Sequence, residues 1–192
     1  TVFDGKWCVG GKSFALASAK GISFMTQKGS TYEPKKGVAG SKAKVEGLLC
    51  LAALGGNDVM AAGGQSGSLY KWEGRNLGVC VAGHTGAVLT ITYCAAQSQL
   101  LSGGKDGKAK IWDMGLSPLA TLDLFRLESL GREVLSVCMS AAGDRVLVAT
   151  SGAEVWELTP VAIPSEDEEQ PGKQVGDSLL PGPVFAGHSG AE

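Results

Sequence analysis

Residues 83–113 of this chain read GHTGAVLTITYCAAQSQLLSGGKDGKAKIWD, and they contain the most informative pattern for its fold. It opens with Gly83-His84, and it closes with an alternating run that ends in Trp112. A loop histidine, a strand serine, a turn aspartate and an indole N–H can form one hydrogen-bonded chain, which is strongest when it is shielded and every member is satisfied. The residues of this stretch that are available for such a chain are the tetrad His84, Ser102, Asp106 and Trp112.

The pattern recurs along the chain with a nearly constant period. Trp72, Trp112 and Trp156 lie 40 and 44 residues apart, each at the end of a short alternating run. Cysteines inside apolar runs recur every 44 residues, at Cys50, Cys94 and Cys138. A period of about 40–45 residues is typical of β-propellers, in which each unit is a four-stranded antiparallel sheet. The chain is therefore predicted to be all-β and to form part of a propeller.

The other copies depart from the full pattern. An early copy ends in Phe24, which we expect in the place of the tryptophan. The copy that ends in Trp72 offers Ser66 where the turn aspartate is expected, and the copy that ends in Trp156 lacks a Gly-His opening. A second Gly-His, at His188, predicts the opening of a further blade. The hydrogen-bonded chain is therefore predicted in full for one copy alone.

These repeats divide the chain into units, and the chain is expected to be a segment of a longer one. The predicted units are a partial blade (1–31), a blade (32–75), a blade with the full tetrad (76–115), a degenerate blade (116–160), an acidic insertion (161–183) and the start of the next blade (184–192). The insertion is predicted to be a mobile loop, with a partner-binding or phosphorylatable tail at Ser165 as the alternative.

Two patterns that suggest enzymes have structural explanations. A Ser-His-Asp hydrolase needs a histidine that activates an exposed serine, whereas the order and spacing of His84, Ser102 and Asp106 fit a blade. The segment Gly10-Gly11-Lys12-Ser13 has Lys6 where a phosphate-binding loop needs glycine, and a strand-like run follows it. We therefore expect no enzymatic activity and no cofactor.

Composition narrows the class of partner. A net charge of −2 gives no global attraction to nucleic acid or to anionic membrane, and no run of eighteen apolar residues could span a bilayer. The five cysteines lie singly, so they are expected to be small buried hydrophobic residues rather than zinc ligands. A basic cluster at Lys35, Lys36, Lys42 and Lys44 is either a solvated loop or a contact with an acidic partner.

Residues 83–113 resemble a WD repeat, and this resemblance implies that His84, Ser102, Asp106 and Trp112 form the structural tetrad that fastens the blade. Longer stretches resemble the echinoderm microtubule-associated protein-like family. The stretches that carry this second resemblance are Gly21–Phe24, Tyr32–Gly40 with its Lys-Lys-Gly-Val, Leu49–Val59, Gly64–Trp72, Leu101–Asp113 with Leu116-Ser117-Pro118, and Phe185–Glu192. The sequence departs from the family pattern at Ala39, where a phenylalanine is expected, and in the long acidic insertion.

The resemblance implies a non-enzymatic, microtubule-associated protein of the cytoplasm and cytoskeleton, in a ciliary axonemal setting where cilia exist. Tubulin and other microtubule-associated proteins are the expected partners. Lys35, Lys36, Lys105 and Lys108 are the candidate residues for contact with the acidic surface of tubulin. The alternative is a WD scaffold that gathers peptide partners in a signalling or transport complex, and a pulldown with and without polymerised tubulin separates the two.

Overall fold

The computed structural model describes residues 1–56, 58–124 and 132–158 and the short strand Phe185–Ala186. These residues form four antiparallel sheets of four strands each. The first sheet contains β1 (Val2–Trp7), β2 (Ser13–Ser18), β3 (Gly21–Lys28) and β4 (Thr31–Lys36). The second sheet contains β5 (Leu48–Ala53), β6 (Val59–Gly64), β7 (Ser68–Glu73) and β8 (Asn76–Ala82).

The other two sheets follow in the same order. The third sheet contains β9 (Val88–Cys94), β10 (Gln99–Gly104), β11 (Lys108–Trp112) and β12 (Pro118–Asp123). The fourth contains β13 (Val134–Met139), β14 (Val146–Thr150), β15 (Glu154–Leu158) and β16 (Phe185–Ala186). First strands of successive sheets contact each other, β1 with β5, β5 with β9 and β9 with β13, so the sheets succeed one another as propeller blades do.

Each pair of neighbouring sheets encloses a separate apolar cluster. The cluster between the first and second sheets includes Phe24, Leu51 and Trp72. The next includes Leu69, Ile91 and Trp112, and the last includes Leu101, Ile111 and Trp156. In all three clusters the tryptophan comes from the later sheet and packs back against the earlier one. Apolar burial therefore holds each pair of neighbouring sheets together.

The predicted units and the observed sheets differ in phase by one strand. The predicted unit 76–115 contains β8, which belongs to the second sheet, and three strands of the third sheet. Likewise, the first copy, predicted to be a partial blade over 1–31, is a full four-stranded sheet that extends to Lys36. Its first strand escaped the sequence analysis because β1 is almost wholly exposed and shows no buried alternation. Of 161–183 and 184–192, only the strand Phe185–Ala186 lies inside the described residues.

Two further expectations were wrong. Phe24 does not take the place of the tryptophan, because it points toward the following sheet, whereas Trp72 and Trp112 point toward the preceding one. Successive residues of a strand point to opposite faces, so the predicted register is off by one residue, and Met25 faces the other way. The cysteines are also not uniformly buried, because Cys138 is exposed and Cys80 and Cys94 are half-buried.

Candidate functional site

The third sheet brings the four predicted tetrad residues together. His84 lies in the connection between β8 and β9, Ser102 lies in β10, Asp106 lies in the following turn and Trp112 ends β11. The indole Nε1 of Trp112 lies 2.8 Å from Ser102 Oγ, which lies 2.8 Å from His84 Nε2. The other ring nitrogen, His84 Nδ1, lies 2.9 and 3.1 Å from the carboxylate oxygens of Asp106.

The partners assign one direction to this hydrogen-bonded chain. A carboxylate accepts only, so the proton of the imidazole is on Nδ1, and Nε2 accepts from the hydroxyl of Ser102. The serine oxygen then accepts from the indole N–H of Trp112. Each donor meets an acceptor, so the chain satisfies three polar side chains that the sheet buries.

Asp106 is the anionic end of the chain. Its burial would by itself raise the pKa of the carboxyl, but hydrogen bonds from His84 and from the backbone N–H of Thr85, at 3.0 Å, outweigh that effect and lower the pKa. The backbone N–H of Lys108 donates to the same carboxylate at 3.2 Å. Asp106 therefore holds together the loop before β9 and the turn after β10.

The same geometry excludes a hydrolytic role for this cluster. Ser102 has no exposed surface, and the side chain of His84 has none either. A catalytic serine must reach the carbonyl that it attacks. Here the hydroxyl is enclosed and shared between an imidazole and an indole, so the cluster fastens the sheet.

In the second sheet, the equivalent positions form a different arrangement. Ala62 takes the place of Ser102, because both lie two positions beyond the register partner of the sheet's tryptophan. The Nε1 of Trp72 is buried and has no hydrogen-bond partner among the described residues. A carboxylate from the loop before β5 replaces the turn aspartate, since Glu46 Oε2 accepts from the backbone N–H of Ser66 at 3.0 Å.

The fourth sheet contains a fastening cluster that the sequence analysis missed. Glu154 Oε2 accepts from the indole N–H of Trp156 and from the hydroxyl of Thr150, both at 3.3 Å. The guanidinium of Arg132, from the loop before β13, pairs with the same carboxylate. Thr150 occupies the register position of Ser102 but lies only six residues before its tryptophan instead of ten, because the turn is shorter. The sequence signal that could have revealed this cluster was a threonine and a glutamate, six and two residues before the tryptophan.

The structure does not bring the four candidate lysines together. Lys35 and Lys36 are exposed at the end of β4, the outer strand of the first sheet. Lys105 and Lys108 flank a turn of the third sheet, and the second sheet lies between the two pairs. Within the chain, Lys105 Nζ lies 3.3 Å from a carboxylate oxygen of Glu133, and Lys108 Nζ lies 3.3 Å from one of Asp123.

The segment Gly10-Gly11-Lys12-Ser13 forms the turn into β2 and opens no helix. Its serine hydroxyl donates to Asp58 Oδ1 at 2.5 Å, which joins the first sheet to the loop before β6. A cavity of about 360 Å³ lies beside these residues and is lined by Val9, Gly10, Lys12, Ser13 and Asp58. A carboxylate at this point disfavours a phosphate ligand.

The described residues contain no helix long and apolar enough to cross a membrane.

Comparisons of sequence and of structure both support the WD40 β-propeller class that the sheets and the tetrad indicate. The profile of the WD domain, G-beta repeat family matches residues 75–113. The WD40 β-propeller domain of Doa1 superposes with a TM-score of 0.67 at 16% identity, covering 82% of this chain and 51% of that chain. A chain of the mitotic checkpoint complex superposes at 0.66 and 17% identity, covering 82% and 49%. The chain therefore contains a WD40 repeat and has the fold of WD40 β-propeller blades.

The curated relatives are more specific. Echinoderm microtubule-associated protein-like 4 of Xenopus laevis is 30% identical over 146 residues, which cover 68% of this chain and 15% of the relative. The human protein of that name is 31% identical over 111 residues, covering 50% and 11%. The ciliary WD repeat-containing protein ctxp80 of Euplotoides octocarinatus is 29% identical over 110 residues, covering 56% and 15%. The chain thus spans no more than about 15% of the length of these relatives.

Proposed function

We propose that this chain is part of a non-enzymatic scaffold protein that associates with microtubules, with propeller faces that contact tubulin and neighbouring proteins. The observation that carries the proposal is the extent of the similarity to echinoderm microtubule-associated protein-like 4. That similarity covers 68% of this chain, far more than the 75–113 region of the WD repeat. A chain that resembled only WD repeats in general would be expected to match mainly within the repeat and not in the connections between repeats.

The proposed setting is the cytoplasm and the microtubule cytoskeleton, including axonemal doublets where cilia exist. The name of the ciliary relative from Euplotoides supports this setting. The buried hydroxyl of Ser102 supports a scaffold role rather than an enzymatic one. The one Ser-His-Asp set among the described residues takes part in a structural hydrogen-bonded chain.

The four candidate lysines differ in how much positive charge they can offer to tubulin. Lys35 and Lys36 are exposed, and no carboxylate of the described residues lies within ion-pair distance of them. Lys105 and Lys108 already have carboxylate partners in the chain, so they have less charge to offer to an acidic surface. An exposed ion pair contributes about 0–1 kcal/mol and weakens with salt, so repeated contacts along a lattice must supply the affinity.

Cosedimentation with stabilised microtubules tests the proposal. We expect saturable binding that weakens as salt is raised, and we expect the Lys35→Glu, Lys36→Glu, Lys105→Glu, Lys108→Glu variant to bind less. The chain spun without microtubules controls for self-pelleting. A chain that stays in the supernatant at every microtubule concentration is not a microtubule-binding module.

A second candidate function is peptide scaffolding, and an aromatic cluster favours it. Trp7, Phe14 and Tyr32 stack edge to face on the first sheet, with ring centroids 5.0 to 6.4 Å apart. Trp7 is 56% exposed and Tyr32 is 37% exposed, on the face of the first sheet that points away from the second, so the cluster offers aromatic contacts to what packs there, a neighbouring blade or a partner. Aromatic residues of this kind are enriched where proteins bind each other. A pulldown that captures the same partners with and without polymerised tubulin would favour this function.

A further inference from the structure

The positive charge of this chain is concentrated in its first two sheets and their connections. Residues 1–82 contain ten Lys and Arg against five Asp and Glu, whereas residues 83–192 contain seven against fourteen. The net charge of −2 therefore conceals a strongly basic half and a strongly acidic half. An acidic partner that meets the basic half would be attracted despite the overall negative charge.

Much of this charge borders one segment, the connection 37–47 between β4 and β5. The connection runs along the outer strand of the second sheet, because Val38 N donates to Arg75 O at 2.7 Å and Leu77 N donates to Val38 O at 2.9 Å. The guanidinium of Arg75 in turn donates to Lys36 O at 3.0 Å. The segment is thus held against the sheet by backbone hydrogen bonds, and its lysines have a defined place.

The turn between β2 and β3 lies beside the same connection. A Cβ at Gly21 would lie 3.1 Å from Val45 Cγ1, so the exposed Lys20 of this turn is next to the part of the connection that contains Lys44. On the other side, the ammonium of Lys42 donates to the carbonyl of Gly78 at 3.4 Å. The surface that we call the basic seam consists of six exposed residues: Lys20, Lys35, Lys36, Lys42, Lys44 and Arg75.

The carboxylates around the basic seam are engaged elsewhere. Glu33 pairs with Lys28 at 2.7 Å, Glu73 pairs with Lys71 at 3.8 Å, and Glu46 accepts from a backbone N–H. Among the described residues, none lies within ion-pair distance of a seam cation. The seam is therefore the region of the described surface where positive charge is least compensated, in contrast to Lys105 and Lys108 with their carboxylate partners.

We propose that the basic seam is a docking surface for an acidic polypeptide segment, which on the proposed microtubule lattice is an acidic segment of tubulin. Val38 lies in the middle of the seam and is 48% exposed, so an apolar residue within the acidic segment would find a contact between the cations. The docking surface is thus at the join of the first and second sheets, and the third-sheet lysines are peripheral to it. This inference rests on the proposed function for the identity of the partner, and on the charges alone for its chemistry.

Two matched triple variants test the seam, each lowering the net charge by three. The seam variant carries Lys36→Gln, Lys42→Gln and Lys44→Gln. The control variant carries Lys6→Gln, Lys12→Gln and Arg145→Gln, which lie outside the seam, in β1, in the turn before β2 and just before β14. Circular dichroism checks that both fold. Cosedimentation with microtubules then gives the affinity of each variant, and fluorescence anisotropy gives its affinity for a labelled glutamate-rich peptide.

We expect the seam variant to bind both probes about tenfold or more weakly, with a reduced salt dependence, and the control variant to stay within about twofold. An equal loss of affinity in the two variants, or no loss in either, would refute the basic seam as the docking surface. Tighter binding of the unmodified chain to single-stranded RNA than to the peptide would also overturn it.

The two probes separate this inference from the proposed function. A chain that binds the peptide through the seam but ignores microtubules would keep the docking surface and lose the microtubule assignment. A chain that binds microtubules while the seam variant binds them equally well would keep the assignment and lose the docking surface. Binding to neither probe would overturn both.

Discussion

The second and third sheets each bury a tryptophan at the same position, but the two differ in whether the indole N–H has a hydrogen-bond partner. Trp112 is 3% exposed and its N–H donates to Ser102, whereas Trp72 is 1% exposed and its N–H has no partner in the described part of the chain. Burying an indole removes roughly 150–250 Å² from water and contributes on the order of 4–6 kcal/mol. An unpaired buried N–H costs about 1–3 kcal/mol, which is less. Packing alone therefore holds the tryptophan, and the hydrogen-bonded chain adds to it.

The largest effect is expected from breaking the tetrad at its centre. Ser102→Ala leaves both the indole N–H of Trp112 and His84 Nε2 without a partner inside the sheet, so we expect a loss of about 2–4 kcal/mol. Urea denaturation of the chain measures it. Ser66→Ala, at an exposed serine of the second sheet, is the control and should cost under about 0.5 kcal/mol. A loss below about 1 kcal/mol for Ser102→Ala would show that the tetrad does not stabilise the third sheet.

A smaller loss is expected in the fourth sheet. Glu154→Ala removes the acceptor shared by Thr150 and Trp156 and the carboxylate beside Arg132, so we expect a loss of about 1–3 kcal/mol in the free energy of unfolding. Glu157→Ala removes the exposed pair with Arg145 and should cost under about 1 kcal/mol. If the two variants are equally stable, Glu154 is an ordinary surface charge and not a substitute for the tetrad.

The acidic end of the tetrad should give a pH-dependent effect. The pKa of Asp106 is lowered in the folded state, so its ionised form favours folding, and that contribution is present above the pKa of an unfolded aspartate, about 3.9. It is lost as the pH falls through the folded value. We expect Asp106→Asn to be about 1–2 kcal/mol less stable at pH 7 and the difference to shrink below about pH 4. A difference that is constant between pH 7 and pH 3 would contradict an ionised acceptor.

The smallest effect, and the only gain, is expected from giving Trp72 a partner. Ala62→Ser places a hydroxyl at the register position of Ser102, and we expect a gain of about 0.5–1 kcal/mol from the new acceptor for Nε1. The neighbouring Ala61 is equally buried but faces the third sheet, so Ala61→Ser should instead lose about 1–3 kcal/mol. Equal losses in both variants would mean that the indole N–H of Trp72 is out of reach of position 62.

Much of the fold could be predicted from local patterns, and the misses have identifiable causes. The tetrad was predictable because its four residues lie within one repeat at fixed spacings. Phe24 was misassigned because a one-residue slip of register exchanges the faces of a strand, and an apolar run of similar residues does not reveal that slip. The cluster of Arg132, Glu154 and Thr150 was missed because a shortened turn changes every spacing on which the repeat pattern depends.

The all-β class, the repeat of four-stranded units and the composition of the tetrad follow from local sequence patterns, because strand alternation and turn chemistry recur with the period of the blade. The tertiary structure alone decided which charges are available. Lys105 and Lys108 meet Glu133 and Asp123, whereas Arg75 lies against Lys36 and Val38, and the turn that contains Lys20 lies against Val45. These contacts join residues of different strands and sheets, whose proximity depends on how the sheets pack and not on any spacing along the chain.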